Sequence, residues 1–130
     1  MDYLKWAKET FINDRFATKA AGIEIEKVSH RFAACSLKIT DVHLNAQNAV
    51  MGGAIFTLAD FAFAIASNTD MRPVVSQTSQ ITYLSAPKGD TLIAEANCVK
   101  AGKSTCFFVT EIYDNLKRHI ATVTTTGFYI

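Results

Sequence analysis

The feature that most constrains the fold is one long apolar segment, from Ala54 to Asn68, which a single charged residue, Asp60, interrupts. Apart from Asp60, most positions of this segment are apolar: Ile55, Phe56, Leu58, Ala59, Phe61, Ala62, Phe63, Ile65 and Ala66. A helix without a polar face has to be buried on most of its sides. It is too short to cross a bilayer comfortably. We therefore predict one central helix, buried inside the domain.

Segments with the two-residue alternation of β-strands lie on both sides of this helix. Residues 22–40 contain two of them, separated by a predicted turn or bulge at 27–31, and an amphipathic helix at 2–13 comes first. Pro73 ends the central helical region. Four more strands are predicted at Val74–Leu84, Thr91–Lys100, Thr105–Tyr113 and His119–Ile130, with turns at 87–90, 101–103 and 114–115.

This order of elements predicts an α+β fold with a single domain, residues 1–130. The turns have hairpin-like lengths and leave no crossover helices for a parallel sheet, so we expect an antiparallel meander that curls around the helix. With 130 residues, of which 49% are hydrophobic, the chain can build one core. The edge strands of such a sheet need cover, which favours association with a second copy.

Charge and composition argue against several kinds of partner. The chain carries 13 Lys and Arg against 12 Asp and Glu, a net charge of +1, which is too small to attract nucleic acid or an anionic membrane surface. Residues 1–15 lack the continuous apolar region of a signal peptide, so we expect a soluble, cytoplasmic protein. The three cysteines show no C-x-x-C spacing and predict neither a disulfide framework nor a zinc site.

Asp60 is the first candidate for chemistry. An unpaired carboxylate among apolar residues is costly, so something has to compensate that cost. One interpretation is a structural aspartate that accepts hydrogen bonds from Ser, Thr or backbone groups. The other is a general base or nucleophile in a cleft, with its pKa set by partial burial. The central helix contains no natural cationic partner, which favours the functional interpretation.

Gly52 and Gly53 precede the apolar run and offer backbone N–H groups at a helix start, where the helix dipole adds positive charge. Such groups can hold a carbonyl oxygen that becomes an oxyanion, although a Gly pair can also serve only close packing. Gly52 and Asp60 are eight residues apart, about 12 Å along one helix at ~1.5 Å per residue. If both act on one substrate atom, each must come from a different subunit, across a two-fold axis.

The segment that contains these residues resembles the signature of the hotdog thioesterases of the phenylacetate-degradation (PaaI-like) type. That signature is H-x-N, a Gly-rich turn, H-G-G, and L-x-D in the central helix. The residues that match it, with the spacing intact, are His43, Asn45, Gly52, Gly53, Leu58 and Asp60. The likeness extends over essentially the whole chain, through residues 79–90 and the closing strand 121–130. It implies a hotdog fold and a homodimer, usually paired into a homotetramer.

By this resemblance the reaction is hydrolysis of an acyl-CoA thioester, a small-molecule substrate, and no metal or redox cofactor is implied. The N–H of Gly52 would polarise the thioester carbonyl, and Asp60 of the facing subunit would attack it or activate water. Asn45 would help to position substrate or water. A hydroxyl near the start of the next strand, Ser76 or Thr78, would orient Asp60, and the sequence leaves the choice between them open.

The substrate-binding residues implied at the same place are Met51, Gly53 and His43, and His43 is also suited to brace the preceding loop. Two positions depart from the family pattern. Asn48 stands where Gly is usual, and because Asn tolerates left-handed backbone geometry we expect the turn to be kept. Met51 stands where His is usual, which replaces a polar group by a flexible apolar one. We expect activity with an altered rate or acyl preference.

Three functions remain after this comparison. The retained Asp60, Gly52 and Asn45 favour a thioesterase. Met51 favours a non-catalytic acyl-CoA-binding protein. A hotdog dehydratase is disfavoured, because no His lies in the motif to act with the carboxylate.

Overall fold

The computed structural model describes residues 1–130 and confirms the predicted helices and strands to within a few residues. The elements are α1 (Tyr3–Phe11), a π-helical turn (Phe16–Ala20), β1 (Glu24–Ser29), β2 (Phe32–Lys38), a 3-10 turn (Asp41–His43), α2 (Gly52–Ser67), β3 (Val74–Tyr83), β4 (Thr91–Ala101), β5 (Thr105–Asp114) and β6 (His119–Tyr129). None of the helices has the length and hydrophobicity to span a bilayer.

The predicted turn or bulge at 27–31 is confirmed in kind, since the structure has both features here, but its bounds differ. β1 continues to Ser29, and only His30 and Arg31 form the turn, with Arg31 in the left-handed region at φ 59°. A β-bulge shifts the register of β1 between Ile25 and Lys27. Because the bulge adds one residue to the strand, it interrupts the two-residue alternation of side chains. The alternation pattern therefore predicts an end of the strand before residue 27, although β1 continues.

The six strands form one antiparallel sheet in the order β1-β2-β4-β5-β6-β3. The predicted meander is correct for β4, β5 and β6 and wrong for β3, which pairs with β6 along its whole length and not with β4. Residues 84–90 therefore carry the chain from one edge of the sheet to its middle. The turn residues at 87–90 fit a hairpin, but local composition does not record which strand a segment pairs with.

The helix α2 packs on one face of this sheet, mainly against β2 and β4. Leu58, Ala62 and Ile65 of the helix have no exposed surface, and neither do Leu37 and Leu92 of the sheet. Full burial of each large aliphatic side chain stabilises the fold by about 1.5–3 kcal/mol. An antiparallel sheet wrapped around one central helix is the predicted hotdog fold.

The aromatic residues and cysteines complete the core. Phe63 of α2 and Phe108 of β5 meet edge to face, with ring centroids 5.4 Å apart, an arrangement that favours aromatic pairs. Cys35 and Cys106 are buried, and Cys98 is half-buried. The N-terminal helix α1 lies against β1 and contributes the fully buried Ala7.

Asp114, at the end of β5, is a buried carboxylate that organises two connections at once. It accepts hydrogen bonds from the N–H groups of Leu116 and Arg118 in its own turn, at 3.0 and 2.9 Å. It also accepts from Lys88 and Gly89 in the connection between β3 and β4, at 2.9 and 3.0 Å. Burial alone would raise the pKa of this carboxyl, but the four donors prevail and lower it to about 2.

Because the folded-state pKa of Asp114 is depressed, its contribution to stability is present above the ordinary aspartate pKa of about 3.9 and is lost as pH falls toward 2. We expect Asp114→Asn to lower the melting temperature at pH 7 and to flatten the decline that the unmodified protein shows between about pH 4 and pH 2. Asp41→Asn, which changes an exposed carboxylate, is the matched control. Calorimetry at several pH values measures both effects, and an Asp114→Asn protein as acid-sensitive as the parent would contradict the assignment.

Candidate active site

Asp60 lies on the one stripe of α2 that the sheet does not cover. Gly53, Thr57, Asp60 and Ala64 recur at three- and four-residue spacing and share this helix face, where none of them is fully buried. The carboxylate of Asp60 is half-buried and makes no hydrogen bond or ion pair with the rest of the chain. The chain itself therefore supplies no hydroxyl or backbone donor of the kind that the structural interpretation of this residue requires.

Burial raises the pKa of Asp60, and the nearby carboxylate of Asp14 raises it further. Both effects disfavour the charged form. The carboxylate opens into a cavity of about 280 Å³ that α2 shares with the N-terminal segment. The lining residues are Asp14, Arg15, Phe16, Ala17, Thr57, Asp60, Phe61 and Ala64. No local pattern in the sequence predicts this N-terminal wall, because the wall depends on a contact between residues far apart in the chain.

The other predicted centre lies at the start of α2. The helix begins at Gly52, and the preceding residue, Met51, provides no side-chain cap. The N–H groups of Gly52 and Gly53 donate no hydrogen bond within the chain, as expected for the first turn of an uncapped helix. Two adjacent donors at the positive end of the helix dipole are a suitable site for a carbonyl oxygen that gains negative charge.

A second cavity, of about 420 Å³, lies beside this helix start and is mostly apolar. Its lining residues are Ala49, Val50, Gly52, Ile55, Tyr83, Leu84, Ser85, Ala86 and Pro87. A Cβ atom added to Gly52 would lie 2.8 Å from the hydroxyl oxygen of Tyr83. The packing interpretation of this glycine therefore also holds, and the packed group is a side chain of β3.

Gly52 and Asp60 open into different cavities that have no lining residue in common. They belong to one uninterrupted helix, so the separation of about 12 Å expected from a rise of ~1.5 Å per residue applies. Within one chain, the pair of donors and the carboxylate therefore cannot meet on one carbonyl group.

The loop before α2 is organised by Asn45 and Asn48. The side-chain oxygen of Asn45 accepts from the N–H groups of Gln47 and Ala49, at 2.9 and 3.1 Å. This orients the amide and leaves its NH₂ group free of partners in the chain. Asn48 has φ 59°, which confirms that it keeps the left-handed turn in place of glycine.

His43 is buried, and both of its ring nitrogens are engaged. Its Nδ1 accepts from the N–H of Thr40 at 3.0 Å, and its Nε2 donates to the carbonyl of Ala21 at 2.7 Å. These two hydrogen bonds brace the loop against the N-terminal segment. The predicted bracing role fits this geometry, whereas the implied substrate contact does not, because neither nitrogen is free.

Met51 and Gly53 lie together at the mouth of the donor pair. Met51 is 51% exposed, and its terminal methyl would be 2.8 Å from a Cβ atom at Gly53. The thioether thus lies beside Gly53, which is itself exposed, on the side of the helix start that faces solvent.

Ser76 and Thr78 differ in the face of the sheet that they occupy. Ser76 pairs with Gly127, whose Cα faces Phe63 of α2, whereas Thr78 pairs with Thr126 on the opposite face. A bulge between Ser76 and Thr78 causes this difference, since simple alternation would place both on one face. Ser76 is therefore on the helix side of the sheet, as Asp60 is, and Thr78 is not.

The sequence model of the thioesterase superfamily matches residues 47–120 of the chain. The acyl-coenzyme A thioesterase PaaI of Escherichia coli is 34% identical over 124 residues, which cover 93% of this chain and 88% of that protein. A protein of Archaeoglobus fulgidus, provisionally named an esterase, is 36% identical over 98 residues. That match covers 75% of this chain but only 64% of the archaeal protein, less than two thirds of its length.

Solved structures show the same relationship. The E. coli PaaI protein from the phenylacetic acid degradation operon superposes with a TM-score of 0.91 at 29% identity, covering 98% of this chain and 94% of that one. A protein of Streptococcus pneumoniae, described as a hypothetical thioesterase and solved with coenzyme A, gives a TM-score of 0.85 at 27% identity. That superposition covers 93% of this chain and 97% of the streptococcal chain.

The electrostatic repulsion between Asp14 and Asp60 makes a prediction about titration. Because Asp14 contributes to the raised pKa of Asp60, Asp14→Asn is expected to move that pKa down, although not to the ordinary value, since burial remains. The titration of the Asp60 carboxyl carbon, followed by NMR, measures the shift. Glu9→Gln removes another acidic group of the N-terminal region and is expected to leave the pKa of Asp60 unchanged. An Asp60 titration that is the same in all three proteins would rule out this repulsion.

Proposed function

Because the chain belongs to the thioesterase superfamily, we propose that it hydrolyses acyl-CoA thioesters to a free acid and CoA. The observation that carries the proposal is the unpaired, half-buried carboxylate of Asp60, which faces a cavity and has a raised pKa. The E. coli relative is named an acyl-coenzyme A thioesterase, and the streptococcal relative holds coenzyme A. The proposal includes the cytoplasmic location expected from the sequence.

The free N–H groups of Gly52 and Gly53 supply the electrostatic part of the reaction. When a nucleophile attacks the thioester carbon, the carbonyl oxygen becomes negative, and backbone donors already aimed at it stabilise that charge without reorganising. The donors belong to a helix that is buried on most sides, so their direction is fixed before substrate binds. The mostly apolar cavity beside them is suited to hold the acyl group.

The carboxylate that acts at this carbonyl is Asp60 of a second copy of the chain. Within one subunit the donor pair and the carboxylate are too far apart to act on one carbonyl. A two-fold axis between antiparallel α2 helices brings the donors of each subunit to the Asp60 of the other, so a dimer contains two such sites. β3 is an edge strand of ten residues, most of them exposed. A long uncovered edge of this kind is a template for pairing with another strand, which supports a homodimer. Pairing of two dimers into a tetramer stays a prediction.

Asp60 can act in two ways that the geometry allows equally. It can take a proton from water, whose oxygen then attacks the carbonyl carbon, or it can attack directly and form an anhydride that water later cleaves. In both cases the C–S bond breaks and the CoA thiolate leaves and takes up a proton. The position of Ser76 on the helix side of the sheet supports Ser76 over Thr78 as the hydroxyl that orients the reacting groups. The free NH₂ group of Asn45 can position substrate or water.

A second candidate function is binding of acyl-CoA without hydrolysis. The observation that favours it is Met51, whose apolar side chain lies beside Gly53 where the family pattern has a polar imidazole. Such a protein would keep the cavity and the backbone donors but lack turnover.

Release of free thiol from a panel of aryl, short-chain and long-chain acyl-CoA esters separates these functions. We expect turnover by the wild-type protein on at least one class of ester. We expect Asp60→Asn, which keeps the size of the side chain but removes the base, to reduce it by about 10²- to 10⁴-fold, the contribution typical of a positioned acid–base group. Asp41→Asn serves as the matched control and is expected to retain full activity.

Two outcomes would count against the proposal. Turnover that survives in Asp60→Asn would exclude this carboxylate as the reacting group. If no ester is hydrolysed while calorimetry still detects acyl-CoA binding, the protein is a binding protein and the second candidate is correct.

Sharing of the site between subunits predicts complementation between two inactive variants. Asp60→Asn removes the carboxylate from both sites of a dimer, and Gly52→Val obstructs both donor pairs, because even a single Cβ there meets Tyr83. A heterodimer of the two contains one site with neither defect. Co-expression with two different tags and purification on both is expected to yield activity well above that of either homodimer. Activity no higher than in the homodimers would place both groups in one subunit's site.

A further inference from the structure

Tyr83 makes a contact with the helix start that the proposed reaction does not yet use. It is the last residue of β3 and pairs with the fully buried Ala121, so its side chain is on the helix side of the sheet. Its hydroxyl donates a hydrogen bond of 2.9 Å to the carbonyl oxygen of Gly52. In an α-helix that carbonyl also accepts from the N–H four residues later. The phenol is therefore an additional donor to the first peptide unit of α2.

This hydrogen bond acts on the peptide unit that contains one of the two free donors. The carbonyl of Gly52 and the N–H of Gly53 belong to the same planar amide. A hydrogen bond to the oxygen polarises the amide and makes its N–H a stronger donor, by a cooperative effect of about 10–30% per bond. It also fixes the orientation of the amide plane, which matters because two successive glycines have more backbone freedom than other residues.

We propose that Tyr83 is a positioning residue for the donor pair: its hydroxyl anchors the carbonyl of Gly52 and so holds the N–H of Gly53, which belongs to the same amide, in the direction that a charged carbonyl oxygen requires. The inference rests on the proposed thioesterase function. Tyr83 acts through the backbone of Gly52 and does not itself contact the reacting atoms.

The alternative role for Tyr83 is that of a cavity wall without any effect on the donors. The two roles depend on different parts of the side chain. The ring of Tyr83 lines the apolar cavity together with Val50 and Leu84, whereas only the hydroxyl reaches Gly52. A wall contributes to substrate binding, which appears in KM. A group that orients donors for the transition state contributes to kcat and leaves KM unchanged.

The decisive variant is Tyr83→Phe, which removes the hydroxyl and keeps the ring. We expect kcat to fall by about 3- to 10-fold, the range that corresponds to one neutral hydrogen bond, with KM and the melting temperature little changed. The matched control is Tyr113→Phe. Tyr113 stacks on His119, with centroids 4.7 Å apart, and its hydroxyl makes no hydrogen bond in the chain, so this variant is expected to match the wild type.

A spectroscopic measurement tests the contact without any turnover. Loss of a hydrogen bond at the carbonyl of Gly52 is expected to move the amide nitrogen resonance of Gly53 upfield in Tyr83→Phe and not in Tyr113→Phe. An unchanged Gly53 resonance would mean that the hydroxyl does not act on this peptide, and the inference would be wrong.

The kinetic outcomes test the positioning role of Tyr83 separately from the proposed thioesterase function. Wild-type turnover with an unchanged kcat in Tyr83→Phe, or with a change in KM alone, would overturn the positioning role and leave the thioesterase function intact. Absence of turnover in the wild type on every ester would overturn both.

Discussion

The burial of α2 against the concave face of the sheet is the constraint on which the rest of the structure depends. The sheet covers Leu58, Ala62 and Ile65 completely and leaves uncovered only the stripe that contains Asp60. A helix that is packed on most sides cannot rotate or slide without opening cavities in the core. The carboxylate and the two glycine donors are therefore held in position by the hydrophobic core itself, although each lies at its margin.

Two aspartates show how the same side chain acquires opposite properties from its surroundings. Asp114 accepts four backbone hydrogen bonds, which lower its pKa to about 2 and keep it charged. Asp60 has no donor, and its burial and the neighbouring Asp14 raise its pKa. A carboxylate that is satisfied by donors stabilises a fold, whereas one that lacks them retains its basicity. The turn between β5 and β6 and the uncovered face of α2 differ in this respect, and only the second has the character of a reactive site.

The sequence predicts those parts of the molecule that depend on local pattern. The apolar run predicts α2, the alternation predicts the later strands, and the tolerance of Asn for left-handed geometry predicts the conformation of Asn48. Pairing between distant segments is not recorded in any local pattern. Three features depend on contacts between such distant segments. They are the pairing of β3 with β6, the cavity wall that residues 14–17 form beside Asp60, and the hydrogen bond from Tyr83 to Gly52.

At Ser76 and Thr78, a single irregularity of the strand makes the alternation pattern predict the wrong face of the sheet. Both hydroxyls occupy even positions of one strand, and regular alternation would place them on the same face. One bulge between them reverses that expectation and leaves only Ser76 on the helix side. A bulge of one residue has no strong composition of its own, so the choice between the two hydroxyls could be made only from the register with β6.

Met51, which replaces the histidine of the family pattern, leaves the backbone donors at the start of α2 unchanged. The donors at the helix start are backbone N–H groups, so replacing the family's imidazole by a thioether does not remove them. The methyl group of Met51 lies beside Gly53, but Met51 is 51% exposed and Gly53 is exposed as well, so the thioether does not shield this residue from solvent. Under the proposed function, the substitution therefore removes one polar contact and keeps the backbone donors that hold a developing negative charge. These donors and the unpaired Asp60 support hydrolysis even without the histidine of the family pattern.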